Sequence, residues 1–220
     1  MNKLVIIRHG LTEWTNRFTG WTDIDLAPEG IELTKKYALV LKEQGYKFDI
    51  GFTSVLKRGI KTLEIVLEVL GEQNIPVIKD QRLNERHYGA LQGLNKAETA
   101  KKYGEEQVRL WRRSYDISPP AGESLKDTYN RVIPYYKEKI IPEISAGKKV
   151  IISGHSNSIR ALVKYLENVS DQNIVEVNIP YCIPLVYEFD DNLKVIKHYY
   201  LADDEEIKAS IEAIKNQAKI

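Results

Sequence analysis

One pattern occurs twice in the chain and limits its fold more than any other feature: a short β-branched apolar run that stops abruptly at a histidine. Lys3 to Ile7 runs into Arg8-His9-Gly10, and Val150-Ile-Ile-Ser153 runs into Gly154-His155-Ser156-Asn157. Apolar runs of this length without polar alternation read as strands buried on both faces. In an open α/β sheet, ligands bind outside the carboxyl ends of such strands. Two histidines delivered there by two strands can face one pocket. A lone histidine is more often a surface or capping residue, but the repeated strand-turn setting weighs against that reading.

The rest of the chain alternates between helical and strand patterns. Pro28 opens a helical pattern that runs to about Gln44 and stops at Gly45. Residues 49–53 read as a second strand, 55–70 as a helix ended by Gly71, and 76–79 as a third strand. Residues 81–94 are irregular and charged. Asn95 to Glu98 and Ser124 to Asp127 have the form of capping boxes. The second opens a helix toward Ser145, with a bend expected near Pro134. After the strand at 149–153 comes a helix to about Asn168, then a hairpin over 185–189 and 195–199, then a polar helix from about Asp203. This order predicts an α/β fold of three layers, a mainly parallel sheet with helices on both faces. The stretch 81–146 reads as a helical insertion within one domain spanning 1–220.

Composition narrows the function. The chain has 220 residues, 43% hydrophobic and 29% charged, enough to order around a sizeable core. A net charge of +1 gives no bulk attraction to nucleic acid or membrane, so neither is expected as a partner and functional charge must be local. Cys182 stands alone, the first apolar run is too short for a signal peptide, and no stretch has the length of a membrane span; a cytoplasmic location is expected. There is no Cys pair, HExxH, P-loop or GxGxxG, so no metal is expected. Candidate anion binders are present instead: Arg58 in the first turn of a helix, Glu85-Arg86-His87-Tyr88 in the irregular segment, and Arg112-Arg113 after Trp111. Guanidinium groups grip phosphate in a bidentate way. On charge alone Arg112-Arg113 reads as a solvated helix face, as Lys35-Lys36 and Lys101-Lys102 do outright.

Arg8-His9-Gly10 with a distant Gly154-His155 is similar to the histidine phosphatase superfamily. Longer blocks resemble its 2,3-bisphosphoglycerate-dependent phosphoglycerate mutases: Arg17-Phe-Thr-Gly20-Trp21-Thr-Asp23, Phe52-Thr-Ser-Val-Leu-Lys-Arg58, the run from Leu83 to Thr99, Trp111-Arg-Arg-Ser-Tyr115, Gly122-Glu-Ser-Leu-Lys126 and Asn178-Ile-Pro180. The resemblance implies that His9 becomes a phosphohistidine primed by 2,3-bisphosphoglycerate, while 3-phosphoglycerate and 2-phosphoglycerate interconvert. It implies that Arg8, Arg58 and His155 hold the phosphoryl group in transit and that Glu85 exchanges the proton. Arg86, His87, Tyr88, Lys96, Arg112 and Arg113 would hold the other end of the substrate, and Thr15, Asn16, Thr19, Gly20, Ser156 and Asn157 would complete the site. Assembly into a homo-oligomer is left open.

Two departures mark the chain. Trp14 is followed by Thr15 and then Asn16, where the family has Asn directly after Trp, so the loop is two residues short. Pro119-Pro120 also runs almost directly into Gly122-Glu123, as in the short members. Two rival readings remain: a phosphatase of the same superfamily, in which water takes the phosphoryl group from His9, and a non-catalytic phosphoester binder. The binder has no need of a nucleophile and a proton donor together.

Overall fold

In a computed structural model describing residues 2–218, β1 (Asn2–Arg8) and β4 (Val150–Gly154) run side by side in parallel, with Arg8 level with Gly154. This register brings the two histidine turns together. β2 (Ile50–Thr53) lies in parallel on the other side of β4, with Thr53 level with Ser153. β3 (Val77–Lys79), β5 (Leu185–Phe189) and β6 (Val195–Tyr200) complete a six-stranded sheet in the order β3-β2-β4-β1-β5-β6. β5 runs antiparallel to β1, and β6 antiparallel to β5, as the hairpin reading expects.

The central strands β1 and β4 carry unbroken apolar runs because each feeds two cores. Leu4 and Ile6 face one way with Phe52, Val150, Ile152 and the interior faces of α5 (Leu125–Tyr135), α6 (Ile141–Ser145) and α7 (Ser156–Leu166). Val5 and Ile7 face the other way with Ile151, against α1 (Pro28–Glu43) and α2 (Lys57–Leu70). Each fully buried aliphatic contributes about 1.5–3 kcal/mol. That supports the three-layer α/β architecture, with helices on both faces of a mainly parallel sheet.

Between β3 and β4 the described residues form helices and no strand, as expected of the insertion. Asn95 caps α3 (Lys96–Tyr103), its side chain accepting from the Ala97 and Glu98 amides. Gly104, at φ 88°, breaks the chain before α4 (Glu105–Arg113). Both helices share a small core of Phe18, Leu91, Ala100, Val108 and Trp111. The Ser124 capping box opens α5. The expected bend at Pro134 is a π-helical turn, Tyr136–Ile140, between α5 and α6: a proline inside a helix removes one backbone donor, and the wider turn absorbs the loss. α2 starts two residues later than its apolar pattern because Leu56 is extended, its amide donating to Ser54 Oγ. α8 (Asp204–Ala218) ends the described chain, held against α1 by a Lys36–Glu206 ion pair. No helix among the described residues is long and apolar enough to cross a membrane.

Candidate active site

The carboxyl ends of β1, β2 and β4 deliver His9, Ser54 and His155 to one place. The His9 amide donates to the Gly154 carbonyl at 3.0 Å, tying the two turns together. The chain then passes α1 at backbone contact: a Cβ on Gly10 would lie 2.5 Å from the Gly30 carbonyl oxygen. Only glycine allows that crossing, which explains the third residue of Arg8-His9-Gly10.

His9 Nδ1 is 2.7 Å from the Gly10 carbonyl oxygen, which can only accept. Nδ1 therefore carries the proton and Nε2 keeps its lone pair. Burial, and then the charges of Arg58 and Arg8, hold the His9 pKa well below the usual histidine range, so the ring stays neutral. A neutral imidazole with a free Nε2 is a nucleophile. His155 lies behind it, ring centroids 5.0 Å apart. Burial and Arg58 depress its pKa as well. Its Nε2 is 2.7 Å from Ser54 Oγ, and its Nδ1 has no protein partner.

The cations beside His9 are fixed by backbone carbonyls. Arg58, 1% exposed in the first turn of α2, donates to Thr22 O at 2.9 Å and Gly20 O at 2.7 Å. Burial pushes its pKa down to about 10, which leaves it charged at neutral pH. Arg8 donates to Ile179 O at 2.7 Å and stacks 3.6 Å from the centre of the Tyr181 ring. An isolated buried charge costs several kcal/mol, so two such cations beside a neutral nucleophile mark a place where an anion restores the balance.

The cleft above His9 is lined by Arg8, Thr12, Trp14, Thr15, Arg17, Phe18, Thr19, Gly20, Arg58, Tyr88, Lys96, Arg112, Arg113, Ser156, Asn157, Arg160, Asn178, Tyr181 and Ile214. Glu85 is the one carboxylate among the described lining residues. Its Oε1 accepts from the Arg86 amide at 2.7 Å and the Asn157 amide at 3.0 Å. Lys96 opens α3, and its Nζ donates to Thr15 O at 3.1 Å. Burial and Arg112 push the Lys96 pKa down to about 8. Arg113 donates to Asn178 Oδ1 at 3.0 Å. Arg112 and Arg113 therefore face the cleft from the end of α4, correcting the solvated-face reading.

Four expected site residues sit elsewhere. Asn16 is exposed outside the lining, and its contribution is a carbonyl that accepts from the Lys96 amide at 2.9 Å; in the shortened loop Thr15 takes the inward place. Arg86 is 0% exposed and lies under Tyr88, donating to Tyr88 Oη at 3.1 Å and Arg112 O at 3.0 Å. His87 packs edge-on against Trp21, its Nδ1 accepting from the Gly89 amide at 3.0 Å. His155 stands behind His9 and is not itself on the cleft wall. Sequence reading missed Arg160, whose Nη1 donates to Asn157 Oδ1 at 3.0 Å and whose pKa burial lowers to about 9. Its place three residues after Asn157, on the same face of α7, was a usable signal. Tyr181 and Ile214 carried none.

Nucleophile, flanking cations and a carboxylate in one cleft define a phosphoryl-transfer site, and the comparisons agree. Residues 4–202 match the model of the histidine phosphatase superfamily (branch 1), and the chain belongs to that family. A mycobacterial glucosyl-3-phosphoglycerate phosphatase in complex with VO3 is similar in structure, with a TM-score of 0.77 at 24% identity over 91% of this chain and 97% of that one. Bacillus stearothermophilus YhfR superposes with a TM-score of 0.77 at 22% identity, over 89% and 94% of the two chains. The alpha-ribazole phosphatase from Shigella flexneri superposes with a TM-score of 0.72 at 19% identity, over 89% and 94%. At these identities the likeness is one of fold. No group of His, Cys, Asp and Glu that could hold a metal occurs among the described residues.

Proposed function

We propose that the chain is a cytoplasmic 2,3-bisphosphoglycerate-dependent phosphoglycerate mutase that interconverts 3-phosphoglycerate and 2-phosphoglycerate. The observation that carries this reading is the two-ended distribution of cations: Arg8 and Arg58 flank His9, while Lys96, Arg112 and Arg113 stand on the insertion side of the same cleft. A small acid with an anion at each end uses both clusters; a simple phosphomonoester needs one.

In this reading His9 is loaded when its Nε2 attacks a phosphorus of 2,3-bisphosphoglycerate, the P–O bond to the glycerate carbon skeleton breaks, and Glu85 gives its proton to the departing oxygen. Arg8 and Arg58 hold the charge on the transferring oxygens, and His155 backs His9 from behind. The free hydroxyl of a monophosphoglycerate, giving its proton to Glu85, then takes the phosphoryl group from His9; the bisphosphate so formed turns within the cleft and returns its other phosphoryl group to His9, leaving the isomer. Lys96, Arg112, Arg113 and Tyr88 keep the acid in place between the two steps. The 2,3-bisphosphoglycerate serves to load His9. Protein cations supply the charge that metal supplies in kinases, so turnover is expected to survive chelation.

A second reading, a phosphatase, is favoured by the functions named for structural neighbours. A coupled assay of 3-phosphoglycerate with and without added 2,3-bisphosphoglycerate decides. Strong stimulation by the bisphosphate, with little inorganic phosphate released, is the expected outcome; release of phosphate matching all substrate consumed would establish the phosphatase instead.

A further inference from the structure

Gly122-Glu123-Ser124 is a family block with no residue in the cleft, and the segment it touches, 84–88, is irregular yet carries Glu85. Irregular backbone away from water leaves polar groups that need partners. Here one ion pair supplies most of them, and Trp21 Nε1 also donates to the Glu85 carbonyl. Arg131, on α5, uses every donor of its guanidinium. Nε donates to Glu123 Oε1 at 2.8 Å, and Nη2 to Glu123 Oε2 at 2.8 Å. Nη1 donates to Arg82 O at 2.8 Å and Asn84 O at 3.0 Å, and Nη2 also to Glu85 O at 2.8 Å. Glu123 in turn takes the His87 amide on Oε2 at 2.8 Å and gives its own amide to the His87 carbonyl at 2.7 Å.

The approach is tight on both sides. A Cβ on Gly122 would lie 2.7 Å from His87 O, and one on Gly89 2.1 Å from Pro120 O. The pair is itself mostly covered, with side chains 17% and 22% exposed. The backbone on both sides of Glu85 is thus pinned by Arg131 and Glu123, while the Glu85 carboxylate is left to the Arg86 and Asn157 amides. Arg131 is not itself among the residues lining the cleft. Lysine cannot replace it, because a single ammonium lacks the planar fork that meets a carboxylate and three carbonyls at once.

We propose that Arg131, paired with Glu123, is a positioning residue that sets the proton-transfer geometry of Glu85. The inference rests on the reading of Glu85 as the proton donor, and the test separates the two. The oxygen leaving from an alkyl phosphate such as 2,3-bisphosphoglycerate is a poor alkoxide and needs a proton; the one leaving from 4-nitrophenyl phosphate is a stable phenolate and does not. The comparison is kcat/KM on each substrate, which reports the step that phosphorylates His9, for wild type, Arg131→Lys, Glu123→Gln and Glu85→Gln. General acid catalysis is worth roughly 10²–10⁴-fold. Arg131→Lys and Glu123→Gln are expected to lose at least about tenfold more on the alkyl ester than on the aryl ester, in the same sense as Glu85→Gln and by a smaller factor. Guanidinium added to an Arg131→Ala variant should restore the alkyl-ester rate selectively. Equal losses on both esters, with Glu85→Gln still selective, would show Arg131 to be a general structural support and overturn the proposal. A Glu85→Gln variant without leaving-group selectivity would overturn the reading of Glu85, and the positioning role with it.

Discussion

The two ends of the cleft are built differently. The His9 end stands on the sheet: three adjacent strands end level with one another, Arg8 beside Gly154 and Thr53 beside Ser153, and the groups there are held by backbone contacts and near-total burial. The opposite end stands on the insertion, where Lys96 begins one short helix, Arg112 and Arg113 end another, and a core of five buried residues supports both. The buried end offers a neutral nucleophile in fixed geometry; the insertion end offers charge on long side chains. On the proposed reading, this division places bond-making on the sheet layer and recognition on the insertion, an arrangement that lets one sheet serve many substrates.

The largest expected effect lies at the sheet end. His9→Ala should abolish turnover of every phosphoester and remove the acid-labile phosphoenzyme, because no other nucleophilic ring nitrogen faces the cleft among the described lining residues. Radiolabelled phosphate retained on the variant protein after acid-labile and acid-stable fractions are separated would break the comparison at its root.

At the insertion end the loss should depend on substrate. Arg112→Gln with Arg113→Gln should raise KM for 3-phosphoglycerate by about tenfold or more for each charge-assisted hydrogen bond removed. Hydrolysis of 4-nitrophenyl phosphate, which has no second anionic end, should fall far less. Parallel steady-state kinetics on the two substrates check this; equal losses would mean that both ends serve bond-making.

A smaller effect follows from Lys96. Its pKa is lowered to about 8, so its charge is present below that pH and lost as pH rises through it. Affinity for a two-ended anion should therefore decline above about pH 8, seen as a fall in kcat/KM, which reports the free enzyme. Lys96→Arg keeps its charge through this range and should flatten that limb. A profile unchanged by Lys96→Arg would remove Lys96 from the second anion site.

The same division explains what the sequence disclosed. The sheet end was legible because a fully buried strand writes itself as an unbroken β-branched run, and the turn residues follow it directly. The insertion end was legible through blocks of family resemblance; on charge alone Arg112 and Arg113 looked solvated, since nothing local tells which face of α4 meets a cleft built from distant segments. Two of the errors share a cause. In Glu85-Arg86-His87-Tyr88 an irregular backbone sends successive side chains in unrelated directions, so Glu85 and Tyr88 reach the cleft while Arg86 is buried beneath and His87 meets Trp21. The clamp by Arg131, 46 residues from Glu85, was invisible to any local pattern.

The smallest effect concerns closure over the junction of the two ends. Ile214, on α8, lines the cleft, so the terminal helix reaches the opening it shares with Trp14, Thr15 and Arg17. Residues 219–220 lie outside the described part of the chain. α8 is held at its near end by Lys36 and Glu206 and by Ile207 packing beside Tyr37 and Cys182. An apolar side chain over a phosphohistidine site excludes water without competing for the phosphoryl group. The loop at Thr15-Asn16 is short, and Asn16 turns outward, so the terminal helix has more of the opening to cover. Removing residues 211–220 leaves both cation clusters and the anchor of α8 in place. On the proposed mutase reading, 3-phosphoglycerate turnover should fall modestly, and hydrolysis of 2,3-bisphosphoglycerate should rise relative to it. Both rates measured on the same preparations of full-length and truncated protein give the ratio directly. An unchanged ratio would mean that the far end of α8 rests at the cleft without keeping water from His9, and that the two rigid walls alone protect the phosphoryl group.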